Sequence, residues 1–107
     1  MAEHTSTRVN SAKMPQFVGR TVRLVCKVLQ FKGDTALVEA SDGGQVEVRL
    51  PKDANVTDTY VEIIGKVIDA STLQMMACVL MGDSVDMKLI DDVVNMIHDP
   101  RFMGSMF

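Results

Sequence analysis

Apolar and polar residues alternate with period two through most of the middle of the chain, and the period changes to 3.6 only near its end. In Thr21–Phe31, Val22, Leu24, Cys26 and Val28 fall on one side and Thr21, Arg23, Val25 and Lys27 on the other. Lys32-Gly33-Asp34 reads as a tight turn into a second strand, Thr35–Ala40. Ser41-Asp42-Gly43-Gly44 reads as a hairpin in which both glycines take positive φ. Gln45–Leu50 alternates again, with Val46, Val48 and Leu50 inward and Gln45, Glu47 and Arg49 outward, until Pro51 ends it. The polar segment Pro51–Thr59 is too short for a long helix. Tyr60–Ile68 is a fourth strand, with Gly65 as a bulge or close-packing point, and Asp69-Ala70-Ser71 turns into a fifth, Thr72–Met81. The helical period then runs from Asp86 to His98, with Asp86 or Ser84 as cap and Pro100 as stop.

Ahead of the strands, Asn10 or Ser11 is placed to cap a short helical turn ending near Phe17, limited by Pro15 and broken by Gly19. Residues 1–13 read as a mostly flexible N-terminal segment, and residues 14–107 as one domain with its helix at about 86–98. Five short strands and a final helix define an all-β class with a C-terminal helix. The best match is a five-stranded OB-fold barrel, with an SH3-like barrel as rival; the long first strand and terminal helix favour the former. No internal repeat or low-complexity segment interrupts the pattern.

The helix carries more apolar surface than one barrel needs. On a wheel at about 100° per residue, Met87, Leu89, Ile90, Val93, Val94, Met96 and Ile97 fill an unbroken arc of about 180°. Lys88, Asp91, Asp92, Asn95 and His98 fill the remainder, a solvated polar face. Resting on a single surface takes an arc of about 100°. The excess points to a second apolar surface, because each extra aliphatic side chain left in water forgoes about 1.5–3 kcal/mol. Packing against a partner is the favoured cover. The tail, with Phe102, Met103 and Phe107 folded back, is the alternative, and Phe102 either seals the helix end or extends the partner surface.

Composition changes this picture in one respect. The 107 residues are 47% apolar, enough for a core, but the formal charge is −3. That argues against a strong free-standing nucleic-acid binder, whose affinity comes from Lys and Arg on phosphates. Candidates for weak DNA contact are Phe31 and Tyr60, with a basic strip of Arg20, Arg23, Lys27, Lys32, Arg49 and Lys66 whose plainer reading is ordinary solubility. The Lys32–Asp34 and Asp69–Ser71 loops are too short to close over a strand. Cys26 and Cys78 lie in apolar runs and read as buried, reduced thiols of an intracellular protein, a disulfide being the lesser alternative. The longest apolar run, Met75–Met81, is far shorter than a membrane span, and the polar N-terminus lacks a signal core. No phosphate loop, metal-spaced His/Cys cluster or nucleophile–His pairing points to an enzyme or a cofactor. His4 and His98 have no catalytic companion, and adjacent Asp91 and Asp92 point about 100° apart on a helix.

Several segments, taken in order, carry a family resemblance. They are Arg8-Val9-Asn10-Ser11, Met14 and Gln16-Phe17-Val18-Gly19; Ala40-Ser41-Asp42-Gly43; Val61-Glu62-Ile63-Ile64-Gly65-Lys66-Val67; and Ile97-His98-Asp99-Pro100 with Arg101-Phe102. From Arg8 to Phe102 the chain resembles the smallest subunit of replication protein A, departing at Cys26, where the family can carry a glycine. The resemblance implies an OB-fold whose C-terminal helix joins helices of the middle and large subunits in a three-helix bundle. It further implies a nuclear protein of DNA replication, recombination and repair, meeting single-stranded DNA mainly through the complex, with no cofactor, membrane or small-molecule substrate. A free-standing OB nucleic-acid module, or the small subunit of a telomere-capping complex, is the alternative.

Overall fold

A computed structural model describes residues 7–54 and 56–99. Its strands are β1 Thr7–Val9, β2 Thr21–Lys32, β3 Thr35–Ala40, β4 Gln45–Arg49, β5 Tyr60–Asp69 and β6 Thr72–Leu80. A 3-10 helix covers Met14–Phe17 and the α-helix α1 covers Met87–Ile97. Strands β2, β3 and β4 form an antiparallel meander, β5 pairs antiparallel with both β2 and β6, and a parallel β4–β6 pairing closes the ring. This five-stranded closed ring with one C-terminal helix is the OB architecture, so the SH3-like alternative falls away.

Alternation places the core where the pattern requires. Val22, Leu24 and Cys26 of β2, Val38 and Ala40 of β3, Val46 and Val48 of β4, Val61 and Ile63 of β5 and Leu73 of β6 are buried in one cluster. Met14, carried in by the 3-10 helix, is fully buried among them. A bulge between Val28 and Gln30 shifts the β2–β3 register, so the bend in the first barrel strand lies beyond Cys26.

Two glycines are required by close approach. The β5–β6 register slips at Gly65, and a Cβ there would collide with the Gln74 carbonyl. In the β3–β4 turn only Gly43 has positive φ, at 87°. Gly44, expected to share that conformation, is needed because a Cβ there would strike the Ser11 side chain.

The N-terminal expectation needs correction. Residues 7–13, assigned to a mostly flexible segment, pack against the barrel: β1 pairs parallel with Val22–Leu24 of β2, and Val9 and Asn10 are buried. The cysteines are both free, but Cys78 is partly exposed and only Cys26 is buried. Burial, with Cys78 and Glu62 nearby, pushes the Cys26 thiol far above its ordinary value; burial and Asp58 push Cys78 up as well.

Candidate subunit interface

Asp86 caps α1, its carboxylate accepting the Leu89 N–H at 3.1 Å, so the helix begins where the apolar arc begins. Only Val94 of that arc is buried in the protein, at 1% exposure. Met87, Ile90, Val93 and Ile97 are half-buried, while Leu89 and Met96 are 58% and 49% exposed. The barrel therefore takes one flank of the arc and leaves the opposite flank in water. Val94, expected at a partner interface, belongs to the intramolecular seam. Further exposed apolar side chains are Met76, Val79 and Leu80 on β6, with Val18, Leu29, Phe31 and Ile68 elsewhere on the barrel.

The polar face also departs from expectation. Asp91, expected in a solvated row, is partly buried and accepts from Asn10 Nδ2 at 2.8 Å, Ser41 Oγ at 3.0 Å and Asn95 Nδ2 at 3.2 Å. His98 Nε2 donates to the Arg8 carbonyl at 3.0 Å, and the imidazole stands edge-on to Phe17, ring centres 5.6 Å apart. Asp92 remains exposed and pairs with Lys88 across one turn, at 3.3 Å. The polar half of the helix thus contributes its attachment to the barrel. Only its partial burial reveals this, since no periodicity in the sequence separates Asp91 from Asp92.

Next to the attachment, Asp42 ties the N-terminal segment to the β3–β4 turn. Its carboxylate accepts from the Ser11 hydroxyl at 2.8 Å and from the N–H groups of Ala12 at 3.0 Å and Gly44 at 3.2 Å. Burial alone would raise this carboxyl, but these hydrogen bonds and that of the Ser11 N–H bring it below its ordinary value of 3.8.

The candidate DNA-contact residues do not form one site. Arg23, Lys27, Lys66 and Tyr60 share the outer face of β2 and β5 by register, but the centre of that face is Val25 opposite Glu62, both buried. Glu62 is paired with Arg8 at 2.8 Å. Arg20 lies over the Phe17 ring, 5.8 Å from its centre. Phe31 and Lys32 are at the far end of β2, where Phe31, 52% exposed, lines an open cleft of about 510 Å³ with Leu50, Lys52, Ala54 and Val56. The outer face of β3 and β4, which OB-folds commonly use for oligonucleotides, carries Glu39 and Glu47 with Leu37, Gln45 and Arg49 and presents no aromatic ring. Phe102, Met103 and Phe107 lie outside the described residues. Among those described, no three His, Cys, Asp or Glu are grouped to hold a metal, and no helix is long and apolar enough to cross a membrane.

Barrel and helix together define an OB-fold protein with a terminal helix whose apolar flank faces away from its own core. The family model described as Replication factor A protein 3 matches residues 1–103. Replication factor A protein 3 of Schizosaccharomyces pombe is 30% identical over 97 residues, covering 90% of this chain and 91% of the relative. A chain in the structure of Ustilago maydis replication protein A bound to single-stranded DNA superposes with a TM-score of 0.85 at 36% identity, over 92% of this chain and 93% of that one. The chain belongs to the replication factor A protein 3 family. A chain of the S. pombe Stn1–Ten1 complex shares the fold, with a TM-score of 0.71 at 9% identity over 88% of this chain and 92% of that one.

Proposed function

We propose that this chain is the structural small subunit of a heterotrimeric replication protein A. In this reading α1 joins helices of the middle and large subunits in a three-helix bundle, and the assembled complex acts on single-stranded DNA in nuclear replication, repair and recombination. The supporting observation is the orientation of α1: Leu89 and Met96 are exposed on the flank turned away from the barrel. An apolar stripe in that position is what helix-on-helix packing uses. Of the seven arc residues, Leu89, Val93, Met96 and Ile97 would carry the partner contact, with Met87 and Ile90 at the margin and Val94 as the intramolecular anchor. The acidic β3–β4 face supports a role in which other subunits hold most of the DNA, and the Phe31 cleft and the Arg23–Lys27–Tyr60 face would add weak contact at most.

The test is Leu89→Asp with Met96→Asp, co-expressed with the middle and large subunits of the same organism. The wild-type chain is expected to co-purify with both. The double variant should lose them while the isolated subunit stays folded by its amide spectrum, with a melting temperature lowered only modestly, since both side chains are half exposed and the cost is confined to helix electrostatics. Normal co-purification of the variant would remove the helix as the interface. The telomere-capping alternative shares the barrel with the Stn1–Ten1 structure, a likeness of fold alone; capture of a Stn1-type partner in place of the two subunits would favour it.

A further inference from the structure

An amphipathic helix beside a barrel would ordinarily roll its apolar side inward, because burying aliphatic surface is favourable and roughly proportional to area. Here α1 stops short of that: the flank at Val94 is buried, and the flank carrying Leu89 and Met96 is left outside. Asp91 is about 160° from Leu89 and about 140° from Met96 on the helix wheel, so fixing Asp91 against the barrel directs those two exposed side chains outward. The Asn10 side chain is itself held in place. Asn10 is 2% exposed, and its Oδ1 accepts the Lys13 N–H at 3.1 Å, which leaves Nδ2 aimed at Asp91 at 2.8 Å. Ser41 extends the β3–β4 turn toward the same carboxylate oxygen at 3.0 Å. His98 pins the helix end on the Arg8 carbonyl at 3.0 Å. Rolling the helix inward would break all three attachments and leave the Asn10 amide buried without an acceptor.

We propose that Asp91 is a positioning residue for assembly: its hydrogen bonds to Asn10 and Ser41 set the rotation of α1 about its own axis, so that the free subunit already presents its apolar flank to partner helices. The inference rests on the interface reading above and adds to it a reason why the flank stays in water before a partner arrives. A subunit aimed in this way binds without first reorienting, whereas one whose helix spends most of its time rolled inward binds in proportion to the outward fraction.

The experiment follows association of the isolated subunit with the middle subunit by stopped flow, together with ¹³C-methyl NMR of Met96 in the presence of a soluble gadolinium chelate. Asp91→Ala is expected to slow association about tenfold, to shield the Met96 methyl from the chelate, and to leave the barrel folded by its amide spectrum. Asp91→Asn should restore both readouts to within about threefold of wild type. Its Oδ1 can accept from Asn10 and Ser41 as the carboxylate does, and the one bond lost is that from Asn95 Nδ2, whose side chain is exposed and can turn to water. Ser41→Ala, which removes one donor without burying a new group, should fall between. Wild-type association and Met96 exposure in Asp91→Ala, or an Asp91→Asn variant as slow as Asp91→Ala, would overturn the proposal. If the wild-type chain fails to bind the middle subunit, the interface reading fails, while the Met96 readout still decides whether Asp91 sets the helix rotation.

Discussion

At Asp42 a single carboxylate joins two parts of the chain that are distant in sequence. Four hydrogen-bond donors from Ser11, Ala12 and Gly44 converge on it. These bonds favour the charged form more than partial burial disfavours it, so the folded value lies below the ordinary 3.8. A depressed folded value means the carboxylate stabilises the native state above the unfolded value and ceases to do so as pH falls through the folded one. Thermal melts of the isolated subunit should therefore decline with falling pH below about 4, and Asp42→Asn should decline less steeply across that interval while starting from a lower plateau at neutral pH. Parallel slopes would remove Asp42 from the acid response. The sequence marks Ser41–Gly44 as a turn from its glycines, yet Ser11 as the partner of Asp42 is not visible there. The two residues are 31 positions apart, and no local pattern encodes that distance. Gly44 shows the same limit: it reads as a second positive-φ residue, whereas its function is to make room for Ser11.

Among the elements, the strands were legible because each has one side against a common core. Val46 and Val48 are buried while Gln45, Glu47 and Arg49 are exposed, as alternation requires. β1 escaped because three residues are too few for a period to register, and its parallel partner lies beyond a 3-10 helix and a turn. The helix was legible in its extent and in the width of its apolar arc, but not in its rotation. Rotation is set by Asn10 and Ser41, which meet Asp91 across 81 and 50 positions. The consequence is a division of labour inside one apolar stripe that truncation can measure. Val94→Ala should lower the stability of the isolated subunit by roughly 2 kcal/mol, the loss of two buried methyl groups and the space they leave. Leu89→Ala should change it by less than about 0.5 kcal/mol, as for other exposed positions, and should weaken assembly instead. Urea unfolding of both variants checks this. Equal losses would mean that the barrel covers the arc evenly.

For the whole molecule, the distribution of charge separates the proposed membership of a DNA-binding complex from binding DNA alone. The chain carries a formal charge of −3, and the face an OB barrel commonly offers to an oligonucleotide presents Glu39 and Glu47 with Arg49 as its basic residue. Phosphates approaching that face meet repulsion, and no ring stands there to stack a base in compensation. The basic residues on β2 and β5 surround the buried Glu62 carboxylate and the partly exposed Arg8 that pairs with it. Fluorescence anisotropy of the isolated subunit on an oligo-dT should accordingly give binding no tighter than the roughly 10⁻⁴–10⁻⁶ M of non-specific contact at physiological salt. If the acidic face is the reason, Glu39→Lys with Glu47→Lys should tighten binding at least about tenfold at low salt. The gain should be lost as salt rises, because each added phosphate contact contributes a slope of about −0.7 in log K against log salt for single strands. Both substitutions lie on exposed or half-exposed outward positions, so the barrel should melt as before. Sub-micromolar binding by the unaltered chain, or no response to the charge reversal, would place DNA recognition on another face of this subunit and return the Phe31 cleft to consideration.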